Sequence, residues 1–153
     1  MSTLSTDRIV KQIELNAPVS RVWRALTDSR EFGKWFGVNL EGPFEAGKVT
    51  KGRITIPGYE HGTLEVLVQT IEPERLFSYE WHPYAVDPAH DYSSEPRTLV
   101  EFRLERTPTG TRLVITESGF DRIPAARRAE ALRMNEGGWA AQIKNIERHV
   151  SAA

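Results

Sequence analysis

The feature that most constrains the fold is a 27-residue segment, Pro124–Val150, with the pattern of one long amphipathic helix. Its apolar residues recur at helical spacing on one face, and these are Leu132, Trp139, Ile143, Ile146 and Val150. Charged residues such as Arg128 and Glu147 lie between them and suit water. At 1.5 Å per residue this helix is about 40 Å long. It is therefore long enough to lie across the whole apolar face of a sheet.

The segments before it are typical of β-strands joined by turns. Arg8–Leu15 shows a mostly alternating pattern of apolar and polar residues. Five later segments are rich in Val, Ile, Thr and aromatic residues, and these are Lys48–Ile56, Thr63–Ile71, Leu76–His82, Thr98–Arg106 and Thr111–Ser118. The segment 107–110 (TPTG) has proline and glycine at the positions that a hairpin turn favours. Strands joined by short turns pair antiparallel, and six of them leave one face to be covered.

Two short helices are predicted directly after the first strand. Pro18 suits the first turn of a helix, where its missing hydrogen-bond donor is not needed. Asp28, with Glu31 three residues later, forms a capping-box pattern for a second helix. The order of elements predicts an α+β fold in which a six-stranded, curved antiparallel sheet grips one long C-terminal helix.

The composition excludes several classes of function. With 20 basic and 21 acidic side chains, the net charge of −1 lacks the positive surplus of a general nucleic-acid binder. The absence of cysteine excludes disulfides, a thiol nucleophile and a zinc finger. No apolar run approaches the roughly 18 residues of a membrane span, and Met1–Asp7 has no signal-peptide pattern. We expect one domain, residues 1–153, in a cytoplasmic monomer or weak dimer without membrane insertion.

The sequence contains no motif of a metal, phosphate or nucleophile site. The histidines at positions 61, 82, 90 and 149 lack metal-ligand spacing. No Gly-rich phosphate loop or nucleophile elbow is present either. We therefore expect neither a metal nor another cofactor.

Four stretches resemble a known family. They are IELNAPVSRVWRALTDSREFGKWFG from Ile13, IEPERLFSYEW from Ile71, GTRLVITESGF from Gly110 and NEGGWAAQIKNIERHV from Asn135. In this order they resemble proteins similar to the carboxy-terminal domain of the activator of Hsp90 ATPase, within the Bet v 1/START-like superfamily. The resemblance implies a helix-grip fold, in which the concave sheet and the long helix enclose a cavity.

The resemblance also implies which side chains line that cavity. Nine are apolar or aromatic and one is a carboxylate, and they are Trp35, Phe36, Phe77, Tyr79, Trp81, Phe102, Ile115, Glu117, Trp139 and Ile143. Large aromatic residues also fill ordinary cores, so the same pattern fits a cavity or a packed core. Glu117 shares its strand face with apolar residues, which makes it a candidate polar anchor with Arg53, Tyr79 or Arg103 as its partner. Alternatively, it turns to solvent at the end of its strand.

Two further features bear on such a cavity. Gly137-Gly138 lies inside the long helix, where each glycine costs about 1 kcal/mol relative to alanine. Either the pair serves a ligand, by letting the helix bend and open the cavity or by leaving space for the ligand, or it allows close packing against the short helices. The segment Pro83–Pro96 is too long for a tight hairpin. It is either a lid at the cavity mouth or a surface insertion.

Three functions are compatible with this resemblance. The leading one is binding of a small hydrophobic or amphipathic molecule between the sheet and the C-terminal helix. The second is an enzyme of the cyclase or hydrolase type that uses the same cavity, which requires a titratable group facing it. The third is a protein-interaction module that resembles the Hsp90 co-chaperone and binds a chaperone partner through the outer face of the sheet.

Overall fold

An antiparallel sheet of seven strands and one long helix dominate the computed structural model, which describes residues 7–87 and 89–151. The strands are β1 (Arg8–Leu15), β2 (Val38–Leu40), β3 (Val49–Ile54), β4 (Thr63–Glu72), β5 (Leu76–Trp81), β6 (Thr98–Thr107) and β7 (Gly110–Ser118). Strands β2 to β7 pair in chain order, and β1 adds to the sheet beside β7. The predicted α+β helix-grip fold is confirmed, with seven strands in place of the predicted six.

The additional strand is β2, which the sequence pattern does not reveal. With three residues it is too short to show alternation, and it begins directly after Gly37, which has a left-handed φ of 94°. Its pairing with β3 depends on close backbone approach at Gly52. A Cβ atom on Gly52 would lie 2.1 Å from the carbonyl oxygen of Asn39, so only glycine fits there.

Three helices cover the inner face of the sheet: α1 (Val19–Thr27), α2 (Ser29–Phe36) and α3 (Ala125–Ser151). The side chain of Asp28 caps α2 as predicted, since it accepts hydrogen bonds from the backbone N–H groups of Arg30 and Glu31. Helix α3 is continuous and differs from the predicted segment by one residue at each end. It is long, but no helix in the described part of the chain is also apolar enough to cross a membrane.

Glu31 does not complete the predicted capping box. Its carboxylate instead accepts hydrogen bonds from Arg21 and Arg24 of α1, both at 2.7 Å. It also contacts Nε2 of His149 in the last turn of α3, at 2.8 Å. Glu31 therefore ties the first two helices to the end of the third.

Aromatic side chains fill much of the space between the sheet and the helices. Phe77 and Tyr79 of β5 and Phe102 of β6 have no exposed surface, and the rings of Phe77 and Phe102 stack 5.9 Å apart. From α2, the ring of Phe32 lies 6.2 Å from that of Tyr79. Trp35 also lies among them, 6.4 Å from Phe102. This part of the interior is a packed core, and the cavity described below lies next to it.

Candidate functional site

An open cavity of about 580 Å³ lies between α3 and the end of the sheet formed by β3, β4 and β5. Its wall is mainly apolar and aromatic, and includes Phe36, Ile54, Leu64, Trp81, Tyr84 and Trp139. The lining residues with polar side-chain groups include Arg133, Asn135, Gln142, Asn145 and two tyrosines, Tyr59 and Tyr84. Small-molecule sites in proteins have this size and this mixture of an apolar wall with a few polar groups.

Gly137 and Gly138 leave the α3 side of the cavity open. Both line the cavity, and a Cβ atom built on either would meet no heavy atom within 4 Å. Close packing against the short helices, one of the two explanations for this pair, is therefore wrong. Space beside the helix is the explanation that fits, and α3 runs through both glycines without a break.

Trp81 and Trp139 form the inner wall of the cavity. Their rings stack with centroids 5.7 Å apart and planes inclined by 27°. Phe36 packs edge-on against both, at 5.9 Å from Trp81 and 6.5 Å from Trp139. These are the three aromatic residues predicted as site residues that the structure brings to the cavity surface.

Glu117 lies directly behind this wall and has no exposed surface. Its Oε1 accepts hydrogen bonds from Nε1 of Trp139 at 2.8 Å and from Nδ2 of Asn135 at 3.0 Å. Its Oε2 accepts hydrogen bonds from Nε1 of Trp81 at 2.8 Å and from Oγ1 of Thr98 at 2.5 Å. One carboxylate therefore fixes both indole rings of the inner wall and one amide of the lining.

The environment of Glu117 corrects two expectations. The side chain does not turn to solvent, and its partners are indole, amide and hydroxyl groups in place of Arg53, Tyr79 or Arg103. Burial raises the pKa of Glu117, whereas the hydrogen bonds from Thr98 and the other donors oppose that rise. Each oxygen of Glu117 already accepts hydrogen bonds from at least two donors of the protein. The role of this carboxylate is therefore to hold the residues of the inner wall, Trp81 and Trp139, in position.

The other predicted site residues pack behind the cavity and are not among the residues that line it: Trp35, Phe77, Tyr79, Phe102, Ile115 and Ile143. Nε1 of Trp35 donates a hydrogen bond to the carbonyl oxygen of Ala25 at 2.8 Å. The hydroxyl of Tyr79 is buried without a hydrogen-bond partner in the described part of the chain. Burial, together with the charge of Glu117, raises the pKa of Tyr79. Their geometry is that of a core.

The segment Pro83–Pro96, described apart from residue 88, borders the cavity through Tyr84 and Val86. Arg127 of α3 holds this segment. It donates a hydrogen bond to the carbonyl oxygen of Pro83 at 2.8 Å and pairs with Glu95 at 2.7 Å. The segment therefore lies at the mouth of the cavity, as the lid hypothesis requires, and Arg127 attaches it to α3.

A titratable side chain lies close to the cavity at His82. It lines a smaller cavity of about 320 Å³, which shares Trp81, Tyr84 and Asn135 with the larger one. Burial lowers the pKa of His82, so the neutral ring is favoured. Its Nε2 lies 3.1 Å from the backbone carbonyl oxygen of Glu95, which accepts a hydrogen bond from it. That nitrogen is therefore already engaged.

An antiparallel sheet gripping a long C-terminal helix, with an apolar cavity between them, defines a helix-grip protein of the Bet v 1/START-like class. The family model described as Activator of Hsp90 ATPase homolog 1-like protein matches residues 16–151, and the chain belongs to this family. The resemblance stated from the sequence is therefore confirmed.

Solved structures support the same fold. MLL2253 from Mesorhizobium loti is 28% identical, with a TM-score of 0.73 over 94% of this chain and 96% of that one. DynU16, encoded in the dynemicin biosynthetic locus, is 23% identical, with a TM-score of 0.72 over 95% of this chain and 48% of that one. The Aha1 dimer from Colwellia psychrerythraea is 17% identical, with a TM-score of 0.69 over 94% of this chain and 95% of that one. No curated protein matches the sequence.

Proposed function

We propose that this protein binds a small apolar or amphipathic molecule in the cavity between α3 and the β3–β5 end of the sheet. The observation that carries the proposal is an open, apolar cavity of about 580 Å³ with space left free beside Gly137 and Gly138. Transfer of apolar ligand surface into such a site is favourable by about 25 cal/mol per Å². The fold of this family is also one that commonly holds hydrophobic ligands.

The fixed geometry of the wall supports the same proposal. Glu117 holds the indoles of Trp81 and Trp139, and Nε2 of Gln142 donates a hydrogen bond to the carbonyl oxygen of Phe36 at 2.9 Å. The wall is therefore ordered before any ligand arrives. A preformed site loses less side-chain entropy on binding, so more of the gain from apolar burial appears as affinity.

A steric block inside the cavity tests this function. The probe is N-phenyl-1-naphthylamine, a neutral fluorophore that brightens in apolar surroundings. Gly138→Phe places its Cβ atom in open space, with no heavy atom within 4 Å, and its ring is expected to fill part of the cavity that Gly138 lines. Ala126→Phe places the same ring on an exposed part of α3 that lines none of the cavities described above, and it is the matched control.

We expect the wild type and Ala126→Phe to bind the probe with similar affinity, and Gly138→Phe to lose at least about tenfold, which corresponds to 1.4 kcal/mol. Bound probe should also raise the melting temperature of the first two proteins and not of the third. Equal binding by Gly138→Phe, or no binding by the wild type, would contradict the proposed function.

A further inference from the structure

The charge distribution at the cavity points to a class of ligand. Among the described residues that line the cavity, Arg133 is the one charged side chain, and no carboxylate is present there. Arg133 is exposed on α3 and has no hydrogen bond or ion pair to another described residue. A guanidinium without a partner at the mouth of an apolar cavity favours an anion on the ligand.

The three side-chain amides of the lining already donate hydrogen bonds within the protein. The amide of Asn135 donates to Glu117, that of Gln142 to the backbone of Phe36, and that of Asn145 to the side chain of Gln142. Arg133 is therefore the one charged donor of the described lining, and Tyr59 and Tyr84, which carry hydroxyls, line the same cavity.

Two acidic residues of α3 lie near Arg133, and neither lines the cavity. Glu136 faces a groove on the other side of the helix, which Arg133 also lines, and it lies 3.9 Å from Lys11 there. Glu130 lies three residues before Arg133 on the same continuous helix, a spacing at which exposed side chains are neighbours. Glu130 therefore provides a charge near the mouth that can be removed without changing the cavity wall.

We propose that the ligand is an anionic amphipathic molecule: its apolar body occupies the cavity, and its carboxylate meets Arg133 at the mouth, with the Tyr84 hydroxyl as a second donor. The inference rests on the proposed function and adds the chemical class of the ligand. A planar guanidinium matches a carboxylate through two parallel hydrogen bonds, a geometry that a neutral amide cannot reproduce.

A matched pair of probes tests this class. 1-Naphthylacetate and 1-naphthaleneacetamide have nearly the same size and apolar body, but only the first carries a negative charge at neutral pH. Their Kd values are measured by calorimetry for the wild type, Arg133→Gln and Glu130→Gln. The measurements are made in about 0.01 M and about 1 M salt, where the screening length falls from roughly 30 to 3 Å.

We expect the wild type to bind the acid about three- to fivefold more tightly than the amide at low salt, as for an exposed ion pair. Arg133→Gln should bring the ratio of the two affinities to about one, mainly through weaker binding of the acid. High salt should have the same effect on this ratio, and Glu130→Gln should increase it. Equal affinity of the wild type for the acid and the amide, or a preference for the acid that survives Arg133→Gln, would overturn the anionic class of ligand. In either case, binding of the amide would still support the proposed function. If neither naphthalene compound nor N-phenyl-1-naphthylamine binds, the function fails and this inference fails with it.

Discussion

Trp139 donates its indole N–H to Glu117 over 2.8 Å, and this hydrogen bond joins α3 to β7 behind the cavity. Trp81 donates to the same carboxylate from β5. A buried anion with several hydrogen-bond donors is stable only while those donors stay in place, because an unpaired charge in the interior is costly. The inner wall of the cavity and the buried charge therefore keep each other in position.

Glu117→Gln is expected to lower the free energy of unfolding by about 1–3 kcal/mol at neutral pH, the cost of leaving a buried donor unsatisfied. In either orientation, the amide nitrogen of glutamine faces the N–H of Trp81 or of Trp139, and one indole loses its acceptor. Urea denaturation measures the change. If the variant were as stable as the wild type, the unfavourable free energy of burying the carboxylate would be as large as the favourable free energy of its hydrogen bonds.

Tyr79→Phe is expected to leave the free energy of unfolding unchanged or to raise it. The hydroxyl is buried without a partner in the described part of the chain, whereas the ring packs 5.2 Å from Trp81 and 5.9 Å from Phe77. The substitution keeps the ring and removes the unpaired group, whose burial is unfavourable. A loss above about 1 kcal/mol in urea denaturation would mean that the hydroxyl has a partner in solution.

Gly137→Ala is expected to raise the free energy of unfolding by about 0.5–1 kcal/mol and the melting temperature by about 1–4 °C. Alanine favours the helix, and its Cβ atom enters open space. Gly52→Ala is the contrasting control and should be strongly destabilising, because its Cβ atom would meet the backbone of Asn39. A loss of stability in Gly137→Ala would show that the space beside α3 is occupied.

The carboxylate of Glu31 should make stability depend on acid pH. Burial acts to raise its pKa, but the hydrogen bonds from His149, Arg21 and Arg24 outweigh burial and hold the pKa at about 2, below the usual 4.5. A group whose pKa is lowered by folding stabilises the fold above the unfolded value, and this contribution is lost as the pH falls toward the folded value.

Urea midpoints of the wild type and Glu31→Gln are therefore expected to differ most near neutral pH. The difference should shrink as the pH falls from about 4.5 to about 2. The comparison between the two proteins removes the effect of the other carboxylates that titrate in the same range. A difference that stays constant over that range would contradict the assigned role of Glu31.

Local patterns predict the elements of this fold well, because alternation and helical spacing are properties of neighbouring residues. The bounds predicted for β1 agree at both ends, and those of α3 differ by one residue. The cavity is harder to predict. Phe77, Tyr79 and Trp81 share a strand face, but only Trp81, at the end of β5, lines the cavity. The alternation of side chains along a strand indicates which face of the sheet a residue is on, but not how far along the strand the cavity lies.

The partners of Glu117 show a second limit of the sequence. They come from β5, the start of β6 and two positions of α3, separated from Glu117 by 36, 19, 18 and 22 residues. The pattern on β7 indicates a carboxylate among apolar residues, yet the donors around it are set by the approach of distant elements. Tryptophan and asparagine have no visible link to that carboxylate in the sequence.

The four tryptophans provide the most direct test of ligand binding in the cavity. Trp81 and Trp139 line it, whereas Trp23 and Trp35 do not. The measurement is a titration of 15N-labelled protein with 1-naphthaleneacetamide, following the indole N–H signals, each assigned through its Trp→Phe variant. We predict that the signals of Trp81 and Trp139 shift while those of Trp23 and Trp35 stay in place, and that Gly138→Phe abolishes the shifts. Shifts confined to Trp23 or Trp35, or unchanged by Gly138→Phe, would contradict binding in this cavity.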